Sequence, residues 1–421
     1  MRVNKVNTYF KINQYLDEYT SLWPFSGAVL VINNEQVVFN KTYGMASIEH
    51  SVPITTKTKF KIASLTKQIT CMGIMILQER GLLKVNDSIR KFFPDYPELN
   101  ERITIHNLMT HTSGLFNDFS VVDPYLMLGK RLFTHQEVFD LYKDLPQEFE
   151  PGEGWSYCYF GYYLLGVIIE RVSGKTYAEF LKENIFEPLG MNNTGLDDYI
   201  EILPNKANGY YASGERLVCC EIDTMSAFSA GAIYSTVEDM ILWDQALYNN
   251  KLVSQNTLNE IFTPFRNNYG YGWFIDEVTN RRRVRHSGGG NGFSHQYHRY
   301  IDERVSILVL SNYGFSNSFD INENIAKIIF NEKYSSPSKP RKSELDMKVY
   351  DTYTGVYQEE GFKLEVKRDN ELLYFVQENK WVMPIYPISA DKFHHTWIDR
   401  EYVFEKDDKG QLCFDGLKKV Y

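Results

Sequence analysis

The order of strand-forming and helix-forming segments is the feature that most restricts the fold of this 421-residue chain. Residues 26–45 have the pattern of a hairpin, with a turn at 33–36. From about 64 to 200 the periodicity is mainly helical, and strand-like sequence returns from about 205 to 315. This order predicts an α/β (α+β) fold in which helices flank an antiparallel sheet, with a helical insertion at about 80–200.

The end of the chain has a different pattern from the rest. Residues 333–346 are polar and contain two prolines, which predicts a linker. Beyond them, short alternating runs such as 362–366 and 371–376 predict a small all-β unit. Because a chain of this length exceeds what a single core supports, we expect separate domains at 1–332 and 347–421, joined by the linker.

Charge and cysteine content restrict the partners and the location of the protein. Lys and Arg number 45 against 54 Asp and Glu, and the net charge of −9 argues against a nucleic-acid surface. No stretch approaches the ~18 apolar residues of a membrane span, and the first ten residues lack the apolar core of a signal peptide. The five cysteines show no metal-ligand spacing. We therefore expect a reduced, cytoplasmic protein without a metal, a cofactor or a membrane segment.

A serine and a lysine lie three residues apart in Ser64-x-x-Lys67, directly before apolar residues at helical spacing, Ile69, Met72 and Ile76. In a helix that begins near Ser64, the two side chains share a face, and the helix N-terminus favours developing negative charge. Lysine can take the serine proton only if burial or nearby cations lower its pKa. We interpret the pair as nucleophile and base, with two solvated surface side chains as the alternative.

Two later clusters bear on this interpretation. In 151–157, a turn rich in Gly and Pro precedes a helix and presents the phenol of Tyr157; a packed aromatic side chain is the alternative. In 286–289, His-Ser-Gly-Gly, the glycines allow a strand to approach a ligand closely. A backbone N–H of this strand would complete an oxyanion hole with the N–H of Ser64, and a flexible hairpin is the alternative.

These motifs, in this order, resemble one family. They are similar to those of the serine β-lactamase and penicillin-binding-protein superfamily, in its class C β-lactamase, D,D-peptidase and esterase branch (peptidase family S12-like). Segments 107–115 and 230–240 resemble its connecting segments, so the resemblance covers nearly all of residues 15–330. It implies a β-lactamase/transpeptidase-like sheet and a structural role for His111, bracing the helical insertion, with a catalytic role as the alternative. The tail after residue 346 is similar to a lipocalin-like β-barrel found in some members.

The resemblance also implies roles for individual residues. Ser64 would form an acyl-enzyme, and Lys67 and Tyr157 would share the activation of Ser64 and the protonation of the leaving group. His286 would supply positive charge, or a hydrogen bond, toward Tyr157 or a substrate carboxylate. The residues implied in substrate binding and in the oxyanion hole are Ser64, Tyr159, Ser287, Gly288 and Gly289.

One position departs from the pattern of the family. The second motif is usually tyrosine–x–asparagine, and here it is Tyr157-Cys158-Tyr159. Because a tyrosine cannot reproduce the paired donor and acceptor of an amide, the departure favours a carboxylesterase or amide hydrolase acting on a small ester or amide. A D-alanyl-D-alanine carboxypeptidase or β-lactamase, with a β-lactam-like substrate, is the first alternative. A catalytically silent ligand-binding protein is the second.

Overall fold

The computed structural model describes residues 5–116, 134–198, 200–220, 227–345, 347–359, 362–369, 372–377 and 381–420. The chain forms two compact units. The larger unit comprises Ser26–Asn208 and Glu221–Asn312, and the smaller one comprises Met1–Phe25, Gly209–Cys220 and Tyr313–Tyr421. The predicted domain limits stay a prediction, because compact units need not coincide with independently folding domains. Parts of the predicted helical insertion, at 117–133 and 199, lie outside the described residues.

Helices and strands of the described residues are numbered in chain order. The helices are α1 Lys5–Leu22, α2 Thr66–Glu79, α3 Ile105–Met109, α4 His135–Tyr142, α5 Tyr159–Ser173, α6 Tyr177–Leu181, α7 Glu187–Leu189, α8 Phe228–Gly231, α9 Val237–Ala246, α10 Gln255–Ile261, α11 Ser318–Ile329 and α12 Met347–Tyr353. The first strands are β1 Gly27–Asn33, β2 Gln36–Tyr43, β3 Met45–Ser47, β4 Val52–Pro53, β5 Phe60–Lys61, β6 Gly195–Leu196, β7 Tyr210–Ser213, β8 Arg216–Cys219, β9 Ile233–Ser235, β10 Phe274–Val278, β11 Arg281–Gly290, β12 Phe293–Tyr300 and β13 Val305–Ser311. The remaining strands are β14 Gly355–Glu359, β15 Phe362–Asp369, β16 Leu372–Gln377, β17 Trp381–Pro387, β18 Lys392–His395, β19 Glu401–Lys406, β20 Leu412–Phe414 and β21 Leu417–Lys419.

A six-stranded antiparallel sheet forms the base of the larger unit, in the order β10-β11-β12-β13-β1-β2. Strands β1 and β13 are buried along their whole length, because both are continuous apolar runs in the middle of the sheet. Their register pairs Gly27 with Ser311. Helix α9 packs against both strands. The predicted hairpin at 26–45 is confirmed as β1 and β2, with Asn34 and Glu35 at positive φ in its turn.

Two buried helices, α2 and α5, pack against each other and against the short helix α8. Every residue of α2 from Thr66 to Leu77 is buried, as expected of a helix that is enclosed by the core. Helix α5 ends at Gly174, whose φ of 70° is the left-handed conformation of a helix C-terminus. This packing brings the beginning of α2 toward the beginning of α5. The Ser64-x-x-Lys67 motif lies at the first of these places and Tyr157 at the second.

The smaller unit contains a closed eight-stranded barrel, β14 to β21, as predicted for the C-terminal region. Its core is mainly aromatic, with Tyr357, Phe393, Phe404 and Phe414 among the buried residues. Helices α1 and α11 pack together in the same unit. Among the described residues, none of the helices has the length and apolar character needed to cross a bilayer. The cytoplasmic location stays a prediction.

Candidate active site

Ser64 lies in a short 3-10 turn, Ala63–Leu65, between strand β5 and helix α2. Ala63 has a φ of 48°, a conformation that costs a residue with a side chain roughly 1 kcal/mol or more. The turn leaves Ser64 only half-buried, while Leu65 and the helix beyond it are buried. The strained residue therefore lies directly before a serine at the edge of the core.

Lys67 lies one turn further on, with its side chain in the core and 1% exposed. Its Nζ is 3.1 Å from Ser64 Oγ and donates to the carbonyl oxygen of Ala230 over 2.8 Å. Burial lowers the pKa of Lys67 from 10.5 to about 7. No carboxylate pairs with this amine in the part of the chain that the structure describes. A large fraction of Lys67 is therefore neutral near pH 7, as a general base requires.

Tyr157 precedes helix α5 and hydrogen-bonds the side chain of Ser64. Its ring lies beside the lysine, with Lys67 Nζ 4.8 Å from the ring centroid. Burial raises the pKa of Tyr157 well above its ordinary value of 10, and the bond to Ser64 offsets only part of this. The phenol thus keeps its proton at neutral pH. The structure brings together Ser64, Lys67 and Tyr157, the three residues assigned to proton transfer and attack.

His286 is buried on strand β11, with its ring centroid 6.2 Å from that of Tyr157. Its Nδ1 is 2.6 Å from the carbonyl oxygen of Ser287 and its Nε2 is 3.0 Å from the hydroxyl of Tyr269. Because a carbonyl only accepts, the proton lies on Nδ1 and the Tyr269 hydroxyl donates to Nε2. Burial, with the charge of Lys67 nearby, lowers the pKa of His286 to about 3. The imidazole is neutral at pH 7, and its hydrogen bonds are directed to Tyr269 and Ser287.

Strand β11 passes close to the turn that holds the serine. A Cβ on Gly288 would lie 2.4 Å from the carbonyl oxygen of Ile62, so only glycine fits at this position. Gly289 is exposed and Ser287 is half-buried. The close approach at Gly288 carries β11 past the segment that leads into Ser64. The assignment of oxyanion donors to Gly289 and Ser64 stays a prediction.

Tyr159 is the first residue of α5, and it is buried with 6% of its surface exposed. Cys158 caps the same helix, since its Sγ accepts a hydrogen bond from the N–H of Gly161 over 3.3 Å. The motif Tyr157-Cys158-Tyr159 therefore consists of a half-buried phenol, a buried capping thiol and a buried aromatic ring. The tyrosine in place of the asparagine therefore lies two positions after Tyr157 and is buried.

The sequence interpretation missed three groups that contact the site residues or the segment before Ser64. They are the carbonyl of Ala230, the hydroxyl of Tyr269 and the imidazole of His295. His295 Nε2 donates to the carbonyl of Lys61 over 2.7 Å, and its Nδ1 accepts from the N–H of Ser311 over 3.2 Å. It ties the segment before Ser64 to the sheet. The repeated glycines of Tyr269-Gly-Tyr-Gly-Trp273 could have marked Tyr269 as part of a constrained loop. For Ala230 and His295 the sequence holds no comparable signal.

Comparison with known proteins identifies the family. A family model described as Beta-lactamase matches residues 22–331, well over half of the chain. The chain belongs to the Beta-lactamase family. A penicillin-binding protein of Bacillus subtilis (strain 168) is 31% identical over 426 aligned residues, covering 93% of this chain and 92% of the relative. Most of the chain, including residues beyond the family match, is thus shared with this bacterial relative.

Solved structures share the fold of this chain. An octameric penicillin-binding protein homologue from Pyrococcus abyssi aligns over 100% of both chains, with a TM-score of 0.68 and 24% identity. A D-amino acid amidase from Ochrobactrum anthropi, complexed with L-phenylalanine amide, is 25% identical with a TM-score of 0.66. That alignment covers 77% of this chain and 97% of the amidase. The first of these matches establishes the fold alone, and the second is a structural neighbour that bears the name D-amino acid amidase.

Proposed function

We propose that this member of the Beta-lactamase family is a serine hydrolase that forms an acyl-enzyme on Ser64 and cleaves a small ester or amide. The observation that carries the proposal is the position of the Lys67 amine. It is buried, its pKa is lowered to about 7, and it lies 3.1 Å from Ser64 Oγ. A neutral amine in hydrogen-bonding contact with a hydroxyl is suited to remove its proton.

The proposed reaction begins when Lys67 Nζ takes the proton of Ser64 and Oγ bonds to the substrate carbonyl carbon. As the tetrahedral intermediate collapses, the bond to the leaving group breaks and the Tyr157 hydroxyl gives that group a proton. The ammonium of Lys67 then returns a proton to Tyr157, so one proton moves in total from Ser64 to the leaving group. Water then attacks the acyl carbonyl carbon, with the proton transfers running in the opposite direction. The bond to Oγ breaks, the acid is released and Ser64 regains its proton. The lowered pKa of Lys67 and the raised pKa of Tyr157 support this division of roles.

Two observations support a small ester or amide as the substrate. Tyr159 fills the place where a tyrosine–x–asparagine motif would present a side-chain amide, and it is buried there. The amidase from Ochrobactrum anthropi, whose structure was solved with an amino acid amide, is a neighbour over most of this chain. We therefore expect turnover of short-chain nitrophenyl esters and of simple amino acid amides.

The second candidate is a D-alanyl-D-alanine carboxypeptidase or β-lactamase. The 31% identity to a penicillin-binding protein over 93% of the chain favours it. Changing Tyr159→Asn would restore the amide of the usual motif. If Tyr159 is what disfavours β-lactams, this variant acylates faster with a fluorescent penicillin than the wild type does, while its rate with nitrophenyl acetate changes less. An unchanged penicillin rate contradicts the role given to Tyr159.

The proposed function is tested by intact-mass spectrometry after exposure to esters, amino acid amides, D-amino-acid peptides and β-lactams. We expect an acyl adduct on the wild type, located by peptide mapping at Ser64, and no adduct on Ser64→Ala. The rate of acylation should rise with pH through about 7, because the reactive form of Lys67 is the neutral amine. An adduct that persists in Ser64→Ala overturns the assignment of the nucleophile. Absence of any adduct across the panel favours the silent ligand-binding protein.

A further inference from the structure

His111 contacts the backbone on both sides of Tyr157. It lies just after helix α3 and is fully buried. The N–H of Ser156 donates to the carbonyl of His111 over 3.0 Å, and the N–H of Cys158 donates to its Nδ1 over 2.9 Å. The two residues that flank Tyr157 are therefore both attached to one residue from a distant part of the sequence.

The imidazole of His111 also packs against the aromatic side chains of the site. Its ring centroid is 4.3 Å from that of Tyr157, with the two planes inclined by 37°. The rings of Tyr162 and Tyr269 lie 4.9 and 4.7 Å away. Since interiors pack closely, these contacts restrict where the phenol of Tyr157 can lie. Backbone and ring contacts thus act on the same side chain.

The chemistry of His111 suits a permanent hydrogen-bond acceptor. Because Nδ1 accepts from the N–H of Cys158, the neutral ring carries its proton on Nε2. That Nε2 has no hydrogen-bond partner among the described residues. Burial, together with the nearby Lys67 amine, lowers the pKa of His111 well below 6.5. Protonation would convert Nδ1 into a donor and break its bond to Cys158, and the surroundings oppose that change.

We propose that His111 is a positioning residue, which holds the peptide groups on either side of Tyr157 and thereby directs the phenol toward the leaving group. The inference rests on the proposed function. Tyr157 precedes α5 in a loop whose backbone groups lack helical partners, so they need partners from elsewhere. A displacement of about 1 Å in a catalytic group can reduce a rate by on the order of 100-fold. The resemblance to the family implied that His111 braces the helical insertion. The proposal makes that role specific, because the side chain that His111 holds is Tyr157.

The test uses three variants of His111 and one control. His111→Phe keeps a ring but removes the acceptor. His111→Gly removes the acceptor and suits the positive φ of 59° at this residue, so it covers the case in which the phenylalanine variant does not fold. His111→Asn keeps an acceptor on a residue that tolerates this conformation. The control is His106→Phe, since His106 contacts Tyr271 and Phe265 and its hydrogen bond goes to Tyr271.

The discriminating readout compares two substrates with the same acyl group, a nitrophenyl ester and an amide. A nitrophenolate leaves without a proton, whereas the amine of an amide needs one from Tyr157. We expect His111→Phe and His111→Gly to lose on the order of 100-fold in kcat/KM for the amide, and about threefold or less for the nitrophenyl ester. His111→Asn should recover most of the amide activity, and His106→Phe should retain the wild-type ratio between the substrates.

A double-mutant cycle with Tyr157→Phe completes the test. If His111 acts through Tyr157, adding His111→Gly to Tyr157→Phe causes no further loss on the amide. Equal losses on both substrates, or additive losses in the cycle, overturn the inference and leave His111 a purely structural residue. If the wild type itself forms no Ser64 adduct with any substrate, the proposed function has failed, which is a separate result from a cycle that is additive in an active enzyme.

Discussion

Two buried basic side chains in the larger unit have opposite surroundings. Arg299, on strand β12, is fully buried, and its Nε donates over 2.8 Å to Oδ1 of the buried Asp244. The same carboxylate oxygen accepts from the hydroxyls of Tyr297 and Ser306, over 2.7 and 2.6 Å. Lys67 is equally buried, yet its hydrogen bonds go to a carbonyl and a hydroxyl, and the described part of the chain provides it with no ion pair.

The difference shows how the fold decides whether a buried basic group is structural or reactive. A carboxylate beside Arg299 compensates its charge, and the guanidinium does not lose its proton in any case. Among the described residues, the hydrogen-bond partners of the Lys67 amine are a carbonyl and a hydroxyl, so burial favours its neutral form and lowers its pKa to about 7. The surroundings of Arg299 stabilise a charge, and those of Lys67 favour a neutral amine.

The largest expected effect comes from removing the reactive amine. Lys67→Met should slow acylation of Ser64 by roughly 10²–10⁴-fold, the range for loss of a general base. The melting temperature should stay the same or rise, because a buried amine without a countercharge is replaced by an apolar chain of similar length. Stopped-flow acylation and thermal unfolding measure the two quantities. A variant that keeps its acylation rate would show that Lys67 is not the base.

Removing the countercharge of Arg299 should lower stability and leave acylation little changed, which is the opposite of the result expected for Lys67→Met. Asp244→Asn leaves a buried guanidinium uncompensated and should lower the free energy of unfolding by about 3–5 kcal/mol. The double variant Asp244→Leu/Arg299→Met should recover only part of that loss. Apolar groups of similar volume replace the pair, but the Tyr297 and Ser306 hydroxyls lose their acceptor. Urea unfolding measures both. The acylation rate per folded molecule should change little in the double variant, and a large change would connect this pair to the site.

Stability should depend on pH through Lys67. Its pKa is about 7 in the folded protein against an ordinary value of 10.5, so between these values the unfolded chain binds more protons. The free energy of unfolding should therefore rise with pH from about 7 to 10.5, by up to ~1.4 kcal/mol per pH unit, relative to Lys67→Met. Below pH 7 the difference between the two proteins should be constant. A difference that does not vary with pH contradicts the lowered pKa.

The smallest effect is expected at Lys61, a lysine six positions earlier that does have a carboxylate. Its Nζ is 3.7 Å from Oδ2 of Asp197, which also pairs with Lys206 over 2.5 Å. Because Lys206 remains, Lys61→Met should lower the free energy of unfolding by less than about 1 kcal/mol. Acylation should stay within about threefold of the wild type. A loss comparable to that of Lys67→Met would mean that the two lysines are not distinguished by their partners.

Local patterns were sufficient for most of the architecture. The hairpin β1–β2, the end of α5 at Gly174 and the strand β13 follow from alternation, periodicity and a C-terminal glycine. The barrel follows from short alternating runs after a polar segment. Such features depend on residues close together in the sequence, which is why a single sequence predicts them. The short strands β5, β6 and β9 lack such a pattern and arise from tertiary packing.

Some contacts of the candidate site also follow from local sequence, and others arise only from tertiary packing. Ser64 and Lys67 share one turn at the start of a helix, so their contact was determined by their spacing alone. Only the folded chain could decide that the Ala230 carbonyl receives the amine, that Tyr269 holds His286 in one tautomer, and that His111 holds Tyr157 from both sides. These partners lie far apart in the sequence, and the pKa of a buried group depends on everything packed around it. Sequence therefore determined which residues are candidates for the reaction, and tertiary structure determined their hydrogen-bond partners and protonation.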